Sequence, residues 1–439
     1  MTPGARTQAA IELLDLIWSG EEPADRIADD YFRKRRYAGS GDRRAVNDML
    51  YAILRHRAKL DWWIERTGSG LGPSPRTRIV AELALQEKSS PDDIKALFSG
   101  ATHCPEVMST EEAGLAEQLY GRPLSHADMP DPVTLEYPEW MDRSLRALFG
   151  DRLAKEMSAL NQQASVDLRV NMLKSTPEAV MKALKEDHVD AEPTPLSPIG
   201  LRLTGKTRLA GTTAFKKGWI EIQDEGSQLV ALLTDARPGM TVVDFCAGGG
   251  GKALALAASM AKDGHIEGDL IACDISGYRL ERMIPRLQRA GAEKVKTKVV
   301  AARNDDWVAD NAGRADRVLV DVPCTGTGAW RRDPNAKWRF TPDDLDDMLA
   351  QQQRILGTAQ TLVKPGGQLI YATCSLLQEE NELQLAWFLE NYKEFQALAI
   401  DRVWADSIGG PPPPEGPCLR LSPASTGTDG FFCAVLQQK

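Results

Sequence analysis

The chain has 439 residues, 42% hydrophobic and 26% charged, the composition of a folded globular protein with length for two or three domains. A net charge of -9 argues against a protein that coats nucleic acid nonspecifically, because neutralising phosphates takes many Lys and Arg. No run approaches the ~18 apolar residues of a membrane span, so we expect a cytoplasmic protein without signal or anchor.

From Thr7 to about Glu117 apolar residues recur at spacings of three and four, as in "RRAVNDMLYAILRHRAKLDWWIER" (Arg43 to Arg66), which predicts an all-α domain. "YFRKRRYAG" (Tyr31 to Gly39) adds a basic cluster that reads as solvated surface. The Pro-rich "MPDPVTLEYPEW" closes this domain, and "WMDRSLRALFG" is a short helix stopped by Gly150. "VDLRVNMLKSTPEAVMKALKED" (Val166 to Asp187) reads as a strand and then a helix with Ser175 at its N-cap and Pro177 in its first turn. With "GLRLTGK" it forms a small α+β module over about 150 to 215.

A doubly wound rhythm follows. "MTVVDFCAGGGGKALALAASM" (Met240 to Met260) is strand, glycine turn and helix; "GDLIACDIS", "RADRVLVDVPC" and "QLIYATCS" are further strands, giving a parallel, largely buried sheet flanked by helices. The expected segments are a helical domain over 1–135, linker helices and the small α+β module over 136–215, and a Rossmann-like α/β domain over 216–439.

Ligands of such sheets sit beyond the carboxyl ends of the strands. Gly248 to Gly251 let the backbone come close to a ligand and present N–H donors, although the P-loop pattern fails at Ala253. Asp274, ending the next strand, is placed to take ribose hydroxyls. Asp305 in "AARNDDW" is a candidate for an adenine amine, with Asn304 and Asp306 as competitors.

Seven cysteines, odd in number and without a C-x-x-C pair, disfavour a disulfide framework or a zinc site, and no metal is expected. All five histidines precede residue 266, so Cys-His chemistry in the C-terminal half is disfavoured. Cys246 and Cys273 read as small core hydrophobes. Cys324 in "DVPCTGTG" and Cys374 in "YATCS" instead follow parallel strands and fall on turns, where thiolate formation is accessible. Two thiols, Asp321 and the aromatic-cationic "WRRDPNAKWRF" (Trp330 to Phe340) suit methylation of a pyrimidine at carbon 5. One thiolate adds to carbon 6, a base removes the carbon 5 proton, and an acid serves ring nitrogen 3. The basic-aromatic stretch reads either as solvated surface or as a rim for an unstacked nucleotide.

"DVPCTGTG" with "RRDPNAKW", "YATCSLLQEENE", "IQDEGSQL", "DFCAGGGGKA" and "DGFFCAVL" resemble the successive motifs of the RsmB/Sun (NSUN-type) family of RNA (cytosine-5) methyltransferases, over roughly 165 to 439. The helical region, with "AVNDMLYAILRHRAKLDWWI", is similar to the NusB-like RNA-binding domain of bacterial ribosomal members, and the small module to an RRM-like one. The resemblance implies Cys374 as the nucleophile, Cys324 as the thiol that assists product release, and Asp321 at the target base or the cofactor's methionine end. It implies S-adenosyl-methionine held by Cys246, Ala247, Gly248, Gly249, Gly250, Gly251, Lys252, Asp274, Arg279, Asp305 and Asp321. An RNA substrate is expected, 16S rRNA ahead of tRNA, acted on by a monomer with no membrane partner. Two departures stand out: the family's C-A-A-P-G-G-K-T is "CAGGGGKA" here, which predicts a more flexible loop, and D-A-P-C is "DVPC". A nicotinamide oxidoreductase would share the glycine turn but leave both thiols unexplained; a silent RNA-binding protein would need neither.

Overall fold

The computed structural model describes every residue except 21, 206–207, 302–304, 411 and 413–415; the competing candidate Asn304 lies outside the described residues. The chain divides into two compact units, residues 1–162 with 330–340, and residues 163–329 with 341–439.

The first unit is helical. Pro3–Ser19, Ala24–Lys34, Ser40–Arg55, Arg57–Arg66, Pro75–Leu85, Pro91–Leu97 and Thr110–Leu119 are its longer early helices. The periodic stretch from Arg43 to Arg66 is thus two helices that break at His56, whose φ of -101° and ψ of 12° leave the helical range. Four starts follow capping rules: the Thr2, Ser74, Ser90 and Ser109 hydroxyls accept from the N–H groups of Ala5, Thr77, Asp93 and Glu112. The apolar stripes meet in a core holding Leu13, Leu14, Leu50, Ile53, Leu54, Ile79, Val80 and Leu115, all with 0% exposure.

Residues 330–340, far along the sequence, complete this unit. Trp330, Asn335 and Lys337 are buried, and the Lys337 ammonium donates to Asn161 Oδ1 at 2.7 Å. Arg55 donates to the Arg331 carbonyl at 3.4 Å and the Trp140 indole to the Phe340 carbonyl at 3.2 Å. The stretch is therefore a packed structural segment and not an exposed nucleotide rim, which corrects that reading of the sequence.

The second unit opens with a four-stranded antiparallel sheet. Its strands are β1 (Asp167–Val170), β2 (Ala191–Pro193), β3 (Gly200–Leu203) and β4 (Ile220–Ile222), in the order β2-β3-β1-β4. Because β4 pairs with β1, this sheet extends past residue 215. The helix Pro177–Glu186 packs on it and is capped by Thr176, not Ser175: the Thr176 hydroxyl accepts from Ala179 N–H at 3.3 Å.

Ten further strands follow: β5 (Thr241–Asp244), β6 (Ala261–Lys262), β7 (His265–Ile266), β8 (Asp269–Asp274), β9 (Lys296–Val299), β10 (Ala315–Asp321), β11 (Val363–Thr373), β12 (Phe395–Ala397), β13 (Leu419–Leu421) and β14 (Phe431–Gln438). The main sheet runs β12-β14-β11-β10-β5-β8-β9, with β13 also on β14. The pairs from β11 to β9 are parallel, whereas β14 is antiparallel to β11, β12 and β13. The sheet is therefore mixed, a Rossmann-like arrangement with an antiparallel edge, and its parallel strands deliver their ends to one edge.

Candidate active site

Three carboxylates end parallel strands side by side: Asp244 on β5, Asp274 on β8 and Asp321 on β10. The last two line a cavity of about 490 Å³, together with Cys246, Ile275, Arg279, Val300, Cys324 and Arg354 among others, and Asp244 lies buried behind its wall.

After Asp244 the chain turns through the glycines into the helix Gly251–Ser259. Gly248 and Gly250 have φ of +54° and +84°, a region open to glycine at little cost. At Gly250 space adds a second constraint, because a Cβ would lie 2.4 Å from Met283 Cγ. Asp274 accepts from Gly248 N–H at 2.9 Å through one oxygen and from Ser276 N–H at 2.8 Å through the other. It thus fixes the loop while leaving lone pairs for a ligand hydroxyl.

The loop is also gripped from behind. Arg169 on β1, 1% exposed, donates to the Gly251 carbonyl at 2.6 Å and to Gln223 Oε1. Arg286 donates to the Gly249 carbonyl and, at 3.0 Å, to Glu221 on β4. Burial pushes the Arg169 guanidinium down to about 10, against the opposing field of Glu221. Where the resembling family carries a proline, this chain anchors its loop with two arginines.

Asp244 was not singled out from the sequence. It is 1% exposed, and neither carboxylate oxygen has a hydrogen-bond partner. Burial, then the fields of Asp321 and Asp274, pushes its carboxyl up to about 7; the Lys252 ammonium and the Ala253 N–H, the latter outside hydrogen-bond geometry, only partly oppose this. An orphaned buried acid beside two others suits a ligand that brings positive charge. Burial first, then Asp244, raises the Cys246 thiol well above its usual range, so it stays a neutral wall of the cavity.

Lys252, 9% exposed, points at Asp321, with Nζ to Oδ2 at 2.6 Å. Burial works against its charge, but the field and hydrogen bond of Asp321 outweigh it and hold the ammonium above its ordinary range. The two candidate thiols converge: Cys324, just past β10, and Cys374, the residue after β11, have sulfurs 3.3 Å apart. The hydrogen bond to Cys374, then burial, pushes the Cys324 thiol far up, against a Gly326 N–H that favours its charge. The Cys324 thiol thus lies in hydrogen-bond contact with Cys374 in a setting that disfavours its own charge.

The remaining candidates divide. Arg279 lies exposed at the cavity. Asp305 is the N-cap of the helix Asp306–Asp310: its oxygens accept from Ala301 N–H at 2.6 Å and Val308 N–H at 3.3 Å. The Ala301 amide holds its carboxyl below the usual range. Asp305 is absent from the cavity lining that its neighbours Val300 and Ala301 share. Sequence reasoning also passed over Gln351, Arg354 and Thr358, which reach the cavity from the helix Pro342–Ala359 and carried no motif signal.

The cavity thus offers acids for a cation, Asp274 for hydroxyls, and Ile275, Val300 and Ile355 as apolar walls for a flat ring, a donor set that fits S-adenosyl-methionine. Comparison with known proteins agrees. Residues 231–437 match the profile of the 16S rRNA methyltransferase RsmB/F family, and residues 137–210 that of the RsmF/B-like ferredoxin-like domain. A probable ribosomal RNA small subunit methyltransferase B from Synechocystis is 30% identical, over 94% of this chain and 95% of its own. A ribosomal RNA small subunit methyltransferase B from Xanthomonas campestris is 28% identical, over 90% of this chain and 89% of its own. The crystal structure of PH0851 superposes with a TM-score of 0.80 at 27% identity, covering 100% of this chain and 99% of that one. The cofactor is S-adenosyl-methionine, and the chain belongs to the RsmB/F family of 16S rRNA methyltransferases.

Proposed function

We propose that this enzyme methylates carbon 5 of a cytidine in RNA, 16S rRNA in the first place, through a covalent adduct between Cys374 and carbon 6 of the base. The observation that carries this reading is the pair of strand-end thiols 3.3 Å apart beside a cavity whose acids suit a cationic cofactor. Neither hydride transfer nor passive RNA binding has a use for that pair.

S-adenosyl-methionine supplies an electrophilic methyl group. Asp274, Arg279 and Asp321, which line the cavity, would hold it, with the glycine turn beside them and the buried Asp244 adding negative charge from behind. Cys374 adds as thiolate to carbon 6, which moves electron density to carbon 5 and makes that atom a competent nucleophile. Asp321, paired with the Lys252 ammonium at 2.6 Å, faces ring nitrogen 3, and a proton passed from Lys252 through its carboxyl to that nitrogen neutralises the negative charge that develops there. Once carbon 5 carries the methyl group, a base accepts the carbon 5 proton, the electron pair forms the carbon 5–carbon 6 double bond, the carbon–sulfur bond breaks and Cys374 leaves as thiolate. Cys324, its sulfur 3.3 Å from that of Cys374, assists this release.

The names of the relatives favour ribosomal RNA over tRNA. We assign RNA contact to the helical segment and the ferredoxin-like segment as well as to the catalytic domain, because a base must leave its stack to reach Cys374. An asymmetric substrate makes a monomer sufficient, and a ribosomal substrate places the enzyme in the cytoplasm. Among the described residues no helix is long and apolar enough to cross a membrane.

The test is incubation with tritiated S-adenosyl-methionine and either 16S rRNA or tRNA. Cys374→Ala is expected to transfer no methyl group, and Cys324→Ala to accumulate a protein–RNA adduct on denaturing gels. Normal 5-methylcytosine formation by Cys374→Ala would refute the mechanism, and label found in tRNA alone would move the substrate.

A further inference from the structure

Glu380 ends the short turn Gln378–Glu380 and is wholly buried, with 0% exposure. Its carboxylate takes hydrogen bonds from both cysteine loops at once. One oxygen accepts from Thr325 N–H at 2.9 Å and from Gln352 Nε2 at 3.0 Å. The other accepts from the Thr325 hydroxyl at 2.5 Å and from the Ser375 hydroxyl. Thr325 is the chain neighbour of Cys324, and Ser375 that of Cys374. Gln352 also donates to the Pro323 carbonyl at 3.0 Å, so Cys324 is braced on both sides. The Glu380 carbonyl in turn accepts from the Tyr371 hydroxyl at 2.5 Å, which ties the turn to β11.

The Thr325 N–H and the Gln352 amide can only donate, so the oxygen they share must accept, and the two hydroxyls close the grip on the other oxygen. Burial pushes the Glu380 carboxyl above its ordinary range, and these hydrogen bonds only partly oppose the rise. The loops also meet directly, through Gly328 N–H to the Cys374 carbonyl at 2.9 Å, Leu376 N–H to the Thr327 hydroxyl at 2.7 Å, Ser375 against Thr327 at 3.1 Å and against Thr325 at 3.3 Å, and the two sulfurs, but Glu380 is the side chain that bonds to the neighbours of both cysteines at once.

We propose that Glu380 is a positioning residue that sets the separation and aim of the Cys324 and Cys374 thiols by gripping Thr325 and Ser375. Its consequence for methyl transfer rests on the reading that these thiols perform it, whereas its consequence for thiol geometry does not. Glu380→Gln keeps the volume and the fold but turns an N–H₂ group towards donors, so the hydroxyls must rotate and the short contacts lengthen. Glu380→Ala removes the grip altogether.

The readout of geometry is closure of the pair by diamide. Each thiol gives up one proton and one electron, the sulfur–sulfur bond forms, and the azo bond of diamide is reduced to a hydrazine. The Cys324–Cys374 peptide is followed by mass spectrometry in the full chain without RNA. Closure is expected to slow about tenfold or more in Glu380→Gln, and further in Glu380→Ala, because small misplacements carry large rate penalties. S-adenosyl-methionine affinity and thermal midpoint of Glu380→Gln should stay near wild type while kcat for RNA methylation falls and KM for RNA holds. Wild-type closure rates in both variants would overturn the proposal. Slower closure in the variants together with a wild type that methylates no RNA would keep the clamp and sink the functional reading instead.

Discussion

Asp244 joins burial, charge and ligand in one side chain. Its carboxyl is pushed up to about 7 by burial and neighbouring acids, whereas in the unfolded chain it titrates near ~3.9. An acid raised on folding keeps its proton in the native state after the unfolded state has lost it, so stability falls as pH rises from about 4 to about 7. Asp244→Asn removes that slope. Without cofactor the variant should melt at a higher temperature than wild type at pH 8, with the gap closing towards pH 4, in thermal scans across that range. Its affinity for S-adenosyl-methionine should fall, since the cation then meets a neutral amide, and wild-type affinity should tighten between pH 6 and pH 8 as Asp244 ionises. A variant that melts below wild type at pH 8 contradicts this account. The same residue marks where reading from sequence stopped. Cys324 and Cys374 stood out because turns after strands are unusual places for thiols, but an aspartate ending an apolar strand carries no such mark. Its orphaned oxygens depend on neighbours 30 to 80 positions away in the chain, namely Asp274 and Asp321. Glu380 was quoted within a motif and still gave no sign of its role, because its partners come from other loops.

At the scale of the element, the glycine run was legible as a place of close backbone approach, but not which glycine is required. Gly248 has φ of +54° with open space where a Cβ would go, whereas Gly250 has φ of +84° and Met283 in the way at 2.4 Å. The same substitution should therefore give two results. Gly248→Ala should cost only the left-handed conformation, about 1 kcal/mol, measurable by urea denaturation. Gly250→Ala must also displace the buried Met283 side chain, and should weaken cofactor binding by at least about tenfold through a loop shifted by fractions of an ångström. Equal effects would refute the packing argument. The expectation of a looser turn for want of proline overlooked β1 and β4, which supply Arg169 and Glu221 to its rear. The sequence pattern marks β1 as a strand, yet it gives no means of telling which turn a buried arginine will hold. Arg169→Met should accordingly raise the Kd for S-adenosyl-methionine several-fold and leave kcat at saturating cofactor unchanged, a split that titration calorimetry and steady-state kinetics resolve.

The whole molecule departs most from a left-to-right reading in residues 330–340. Sequence patterns cut the chain into consecutive blocks, and the RsmB/F match over 231–437 spans this stretch without a break. In space the stretch belongs with the helical unit of residues 1–162, only a few positions after Cys324. Its charge pattern resembled an RNA-facing rim because composition is blind to burial. Arg331 and Lys337 are 6% and 1% exposed, and burial pushes the Lys337 ammonium down to about 8 against the field of Glu136. Glu136 is itself engaged, accepting from the Ala58 and Lys59 N–H groups at 2.9 and 3.1 Å at the start of the helix Arg57–Arg66. Such a segment is held by tertiary contacts rather than by its own short 3₁₀ turn, Pro334–Trp338, so its order is borrowed from the helices around it. A chain that begins at residue 163 should retain the methyltransferase sheet but leave Trp330, Lys337 and Trp338 in water. Trypsin should then cut after Arg331, Arg332, Lys337 or Arg339 at least about a hundredfold faster than in the full protein, in line with the range of local opening free energies, and mass spectrometry of the fragments reads this directly. Equal resistance in the two proteins would mean that the segment draws its order from the catalytic unit, and that the helical unit is not what keeps the loop beyond Cys324 in place.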